Sequence, residues 1–126
     1  MAPITEGITF LPTADLEATH RFYSGVLGLD LVLDQGSCRI YRVVGTSYWG
    51  FCERAAPTAP EQVVLTVCSD DVDAWHRRFE SSGLPTDGPP RTHAAFGIYH
   101  FYARDPNGYR IEVQRFLDPG WAAGQR

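Results

Sequence analysis

Three side chains near the end of the chain, His100, Tyr102 and Glu112, have the types and spacing for acid–base chemistry. Residues 98–103 and 109–116 read as strands joined by the turn sequence Asp105-Pro106-Asn107-Gly108. Side chains of a strand alternate between its faces, so His100 and Tyr102 share one side. On the second strand Tyr109, Ile111 and Val113 form an apolar set, while Arg110, Glu112 and Gln114 form a polar one. An imidazole beside a carboxylate can exchange protons near neutral pH, as a general acid or base must. Glu112 has two readings on these grounds. It is either a solvated or arginine-paired carboxylate on a sheet surface, or a carboxylate lining a cavity, where it accepts hydrogen bonds or attracts a cation.

The other candidates are less pointed. His93 lies in the Pro- and Gly-rich stretch 85–97 and reads as a loop histidine that either closes over a ligand or meets solvent. His20 and His76 occupy matching positions of two helix-like runs and read as structural side chains. Cys38, Cys52 and Cys68 are odd in number and scattered, without a Cys-x-x-Cys pair. They are expected as buried, reduced thiols, and with them a cytoplasmic protein. No phosphate-binding loop, zinc-ligand spacing, hydrolase elbow or basic stripe occurs.

The elements that must position these groups come in two copies. Asp15-Leu16-Glu17-Ala18-Thr19-His20-Arg21 is echoed 56 residues later by Asp71-Val72-Asp73-Ala74-Trp75-His76-Arg77. Each run follows a short apolar stretch (Ile8–Leu11, Val64–Val67) and precedes a Gly-Leu pair. The spacing predicts a strand over 7–12 ended by Pro12, then a helix from a Thr13 or Asp15 cap to about Leu27, stopped by Gly28. Strands follow at 29–33, 38–44 and 48–53. Residues 54–61 form a linker. The second copy predicts a strand at 63–68, a helix capped by Asp70 or Asp71 and ending at Gly83, a weak strand near 85–92, and the two strands already named. Each half therefore reads β-α-β-β-β, giving one domain with modules at about 7–53 and 62–117 and a tail at 118–126. Trp121 in that tail reads as a packing or dimer contact.

With 126 residues, 44% hydrophobic and 21% charged, the chain can bury a core unaided. A net charge of −4 argues against a nucleic-acid partner and favours a neutral or cationic ligand. No apolar run approaches membrane-spanning length, and the first residues lack a basic-then-apolar leader pattern. Aromatics form 13% of the chain and crowd the strands, so most of them belong to the core.

Asp15-Leu16-Glu17, Phe22-Tyr23, Leu27-Gly28-Leu29, Asp71-Val72-Asp73 and the closing Phe101-Tyr102-x-x-Asp105-Pro106-x-Gly108-x-x-x-Glu112 together resemble the vicinal oxygen chelate superfamily. That superfamily includes glyoxalase I, extradiol dioxygenases and bleomycin-resistance proteins. The resemblance runs from residue 7 to about 117 and implies an α+β fold of two tandem βαβββ modules, forming a curved mixed sheet around a cavity. It also implies a homodimer. Enzymes of the family hold a divalent metal through the first and last strand of each module. Carried over, those positions fall on Ile8, Gly50, Val64 and Glu112, of which only Glu112 can bind a metal. The expectation is therefore no metal and no cofactor. Gly50 and Val64 would leave a roomier, greasier cavity, with Phe10 and Tyr48 in phase with the lost ligands. The resemblance to the dioxygenase pattern from His93 to Glu112 is partial, because the iron-binding histidines are missing. The implied function is binding of a small aromatic or amphipathic molecule, in the manner of drug-sequestering relatives, by Phe10, Tyr48, Gly50, Val64, His93, His100, Tyr102 and Glu112. The alternative is a glyoxalase- or dioxygenase-like enzyme using His100, Tyr102 and Glu112, with or without a relocated metal.

Overall fold

The structure, a computed structural model, describes residues 2–121. The chain divides into two compact units, Met1–Pro60 and Glu61–Arg126, at the end of the expected linker. Among the described residues no helix is long and apolar enough to cross a membrane.

The first unit contains β1 (Gly7–Thr13), α1 (Leu16–His20), β2 (Asp30–Asp34), β3 (Cys38–Val44) and β4 (Ser47–Glu53). The sheet order is β1-β4-β3-β2, with β1 parallel to β4 and the other pairs antiparallel. The second unit repeats this plan with β5 (Val64–Cys68), α2 (Val72–Ser81), β6 (Arg91–His93), β7 (Ile98–Arg104) and β8 (Arg110–Phe116), in the order β5-β8-β7-β6. Two four-stranded mixed sheets, each with a helical segment between its first two strands, make an α+β fold, as expected.

The sequence repeat becomes a repeat of hydrogen bonds. Asp15 Oδ1 accepts from the Ala18 N–H at 2.9 Å, and Asp71 Oδ1 accepts from the Ala74 N–H at 2.9 Å. One residue pair upstream, the hydroxyls of Thr13 and Ser69 accept from the Asp15 and Asp71 N–H groups, each at 3.1 Å. Each carboxylate thus satisfies a donor that the first helical turn leaves unpaired and meets the positive end of the helix dipole. Both helices stop where glycine adopts a positive φ, 71° at Gly28 and 73° at Gly83, as other residues seldom do.

Each helix buries one apolar stripe on one face of its own sheet. In the first unit Tyr23 packs on Phe51 with ring centroids 4.4 Å apart, beside Leu16, Leu27 and Trp49. In the second, Val72 and Phe79 of α2 meet Phe101, Ile111 and Val113, all within 1% of full burial. The Asp105-Pro106-Asn107-Gly108 turn is held by Asp105, whose Oδ1 accepts from the N–H groups of Asn107 and Tyr109 at 2.8 Å each. That buried carboxylate fixes the β7–β8 hairpin and so the register of everything on it.

Four expectations need correction. Strand β1 continues to Thr13 rather than ending at Pro12, because β1 is an edge strand and the missing N–H of proline breaks no ladder there. The first helix tightens into α1 only for Leu16–His20 and then widens into a π-helix over Arg21–Val26, with the Leu27 N–H reaching the Phe22 carbonyl. His93 closes strand β6 opposite Ile98 instead of lying in an irregular loop. The cysteines are not three buried thiols: Cys38 and Cys52 are direct register partners on β3 and β4 and form a disulfide, and Cys68 is free and exposed. The cytoplasmic expectation, which rested on reduced cysteines, thereby loses its footing. Trp121 packs on Phe116 at 4.3 Å, and residues 122–126 of the expected tail lie outside the described residues.

Thiol titration of the unfolded, unreduced protein should give one reactive cysteine per chain, rising to three after reduction. Three before reduction would remove the cross-strand disulfide.

Candidate functional site

Register on the second sheet lines up rows of side chains on the face away from α2. Thr66, Glu112 and Tyr102 form one row across β5, β8 and β7; Cys68, Gln114 and His100 form the next; Val64, Arg110 and Arg104 form the row on the other side. The row ending at His100 continues to Arg91 on β6.

The centre of this face is a buried carboxylate–imidazole pair. His100 reaches diagonally so that its Nδ1 lies 2.7 Å from Glu112 Oε2. Thr66 Oγ1 donates to the other oxygen, Oε1, at 2.9 Å. His100 is 3% exposed and Glu112 7%. An ionised carboxylate only accepts, so the proton between them sits on Nδ1. That assignment leaves Nε2 as the second functional nitrogen of His100, and it is buried with no partner among the described residues. A neutral His100 presents a lone pair there; a protonated one presents an N–H.

Tyr102 flanks the pair edge-on, its ring 5.1 Å from that of His100. Burial, then the nearby Glu112 charge, hold its phenol above the usual tyrosine pKa, with Arg110 opposing. Tyr102 is therefore a neutral hydroxyl at physiological pH. The Arg110 guanidinium lies over its ring at 4.0 Å. His93 is exposed, stacked on Phe96 at 4.8 Å, with its ring 6.0 Å from His100.

The structure thus brings His93, His100, Tyr102 and Glu112 onto one sheet, with Val64 two residues from Thr66 on the same face of β5. Phe10, Tyr48 and Gly50 belong to the other sheet. There Phe10 and Gly50 are register partners, and a Cβ on Gly50 would fall 2.6 Å from two carbons of the Phe10 ring. The space expected above Gly50 is filled by Phe10. Nearby, Ile8, Leu33, Ile40, Arg42 and Tyr48 line a recess of about 210 Å³, with Arg42 donating to the Tyr48 hydroxyl at 3.0 Å.

These residues do not fit the divalent metal that the resemblance implies. Ile8, Gly50 and Val64 carry no ligating atom, the Phe10 ring covers Gly50, and both oxygens of Glu112 are already engaged. Among the described residues no group of three His, Cys, Asp or Glu side chains is placed to hold a metal ion.

Sequence reasoning missed Thr66 and the stacking of Arg110. Thr66 becomes visible only through the parallel pairing of β5 with β8. That pairing places Thr66 against Glu112 as β1 and β4 place Phe10 against Gly50.

Replacing Glu112 by Leu strands the buried Nδ1 of His100, a loss of about 1–3 kcal/mol in urea unfolding. His100→Leu made on top of Glu112→Leu should cost far less than alone, with coupling of about 1 kcal/mol or more. Additive losses would mean the two side chains act separately.

The chain matches the family model of the Glyoxalase/Bleomycin resistance protein/Dioxygenase superfamily over residues 7–113. Among solved structures it is similar to a glyoxalase/bleomycin resistance protein/dioxygenase from Nocardioides, with 20% identity, 95% of this chain and 87% of that one covered, and a TM-score of 0.78. A lactoylglutathione lyase from Agrobacterium tumefaciens is 29% identical over 90% of this chain and 95% of its own, with a TM-score of 0.73. A possible glyoxalase from Bacillus cereus is 22% identical, covers 88% and 98%, and has a TM-score of 0.74. No protein of curated function matches in sequence. With its doubled β-α-β-β-β plan and a family match across both units, the chain belongs to the Glyoxalase/Bleomycin resistance protein/Dioxygenase superfamily.

Proposed function

We propose that this superfamily member binds a small organic molecule on the polar face of the second sheet, without a metal at the family positions. The observation that carries the reading is the buried, unpartnered Nε2 of His100. An unmet polar atom in the interior costs about 1–3 kcal/mol, so a molecule that supplies its partner gains that much in binding. Tyr102 offers a neutral hydroxyl and a ring edge beside it, and Val64 and Thr66 offer an exposed apolar and polar border. Such a mixture of aromatic surface and few polar anchors suits an aromatic or amphipathic ligand. Ligand sequestration, as the bleomycin-resistance part of the family name suggests, is the corresponding role.

A homodimer belongs to the same reading. It is supported by the apolar side chains left exposed on the first sheet, Ile8, Phe10, Val32 and Leu33. The Cys38–Cys52 disulfide weighs against a strongly reducing compartment as the place of action.

The second reading is acid–base catalysis, and the 2.7 Å bond from His100 Nδ1 to Glu112 favours it. A carboxylate in that position fixes the orientation of the ring and holds Nδ1, leaving Nε2 as the nitrogen that could take or give a proton.

Thermal unfolding in the presence of an aromatic and amphipathic compound library separates these readings. Compounds that stabilise the protein should lose their effect on His100→Leu and Tyr102→Ala. Stabilisation unchanged in both variants would remove the site. Iron, nickel, zinc and manganese salts should give no Glu112-dependent stabilisation. A metal-stimulated lactoylglutathione lyase activity lost in Glu112→Gln would put the enzyme reading first.

A further inference from the structure

The charges around the buried pair run opposite to the charge of the chain. A formal net charge of −4 favours a cationic ligand, yet Arg91, Arg104 and Arg110 share the face that holds Glu112. Arg104 and Arg110 are direct register partners. The adjoining pair is closed by the Asp105 N–H donating to the Tyr109 carbonyl at 3.0 Å. Ladder bonds alternate, so Arg104 and Arg110 form a pair without such bonds, the kind whose side chains stand closer. Like charges directly opposite each other repel and weaken a sheet.

Among the described residues no carboxylate lies within ion-pair distance of any of the three guanidiniums, whereas Arg39 on the other sheet meets both Glu17 and Asp34. Arg110 rests on the Tyr102 ring instead of on a carboxylate, and among the described residues its guanidinium N–H groups have no hydrogen-bond partner. Arg91, opposite His100 in register, is close enough for its charge to act on the Tyr102 hydroxyl. The unpartnered Nε2 of His100 belongs to the same patch.

We infer that this face takes an organic anion, with a carboxylate or phosphoryl group met by Arg110 and its register partner Arg104, with an aromatic body beside Tyr102 and His100, and with Arg91 adding positive charge at the far end of the same face. The inference rests on the small-molecule reading above and names its ligand class. Guanidiniums present parallel N–H donors that match the oxygens of such groups, and a bound anion relieves the repulsion between Arg104 and Arg110. His100 then either donates from Nε2 to the anion when protonated or accepts from a ligand hydroxyl when neutral.

Four probes of similar size decide this: benzoate, phenylphosphonate, benzylamine and benzyl alcohol, each titrated into isotope-labelled protein and followed through backbone amide signals. Benzoate or phenylphosphonate should shift the signals of β7 and β8 at concentrations about tenfold lower than benzylamine. Arg110→Gln should weaken the better anion by about fivefold or more while leaving benzyl alcohol unaffected. Arg104 is exposed, so Arg104→Gln keeps the fold and repeats the comparison should Arg110→Gln disturb the sheet. Benzylamine or benzyl alcohol binding at this face as well as the anions would overturn the ligand class and leave the small-molecule reading intact. Silence from all four would overturn both.

Discussion

A carboxylate that is only 7% exposed must be paid for by its neighbours, and in this protein the payment organises one whole sheet face. Glu112 receives the Thr66 hydroxyl from the parallel strand on one side and the His100 ring from the antiparallel strand on the other. Removing either donor leaves a charge in a poorly solvating interior, a far larger penalty than the gain from one ordinary hydrogen bond. The pair therefore ties β5, β8 and β7 together at a single point. It also fixes the ring of His100 with one nitrogen occupied and the other unmet.

Duplication explains why that arrangement occurs once. The two units share strand order, capping carboxylates and glycine stops. At corresponding rows, the first sheet has Phe10, Gly50 and Ile40 where the second has Thr66, Glu112 and Tyr102. One copy of the scaffold has filled its face with an aromatic ring over a glycine, while the other has kept it polar. The same strand plan thus carries a hydrocarbon contact in one unit and a hydrogen-bonded pair in the other.

Much of this was legible beforehand, for physical reasons that can be named. Period-two alternation on β7 and β8 grouped His100, Tyr102 and Glu112, and the structure does bring those three side chains together. The helix starts were legible to within a residue or two, as Thr13 or Asp15 and Asp70 or Asp71, and the caps are Asp15 and Asp71, whose carboxylates reach the first-turn N–H groups. What stayed hidden depends on which strands become neighbours. The Cys38–Cys52 bond needs the β3–β4 register, Thr66 needs the parallel β5–β8 pairing, and the Phe10 ring over Gly50 needs the β1–β4 pairing. Local pattern fixes the face of a side chain but not its cross-strand partner. Net charge is equally blind to arrangement, because a sum over the chain conceals three arginines that share one sheet face.

The most direct measurement is the nitrogen spectrum of the His100 ring, recorded with proton correlation before and after adding a bound small molecule. The account predicts a proton on Nδ1, strongly deshielded by its short bond to Glu112, and a ligand-induced change centred on Nε2. A proton on Nε2 with a bare Nδ1, or a His100 signal that responds to one equivalent of a divalent metal and to no organic ligand, would contradict it.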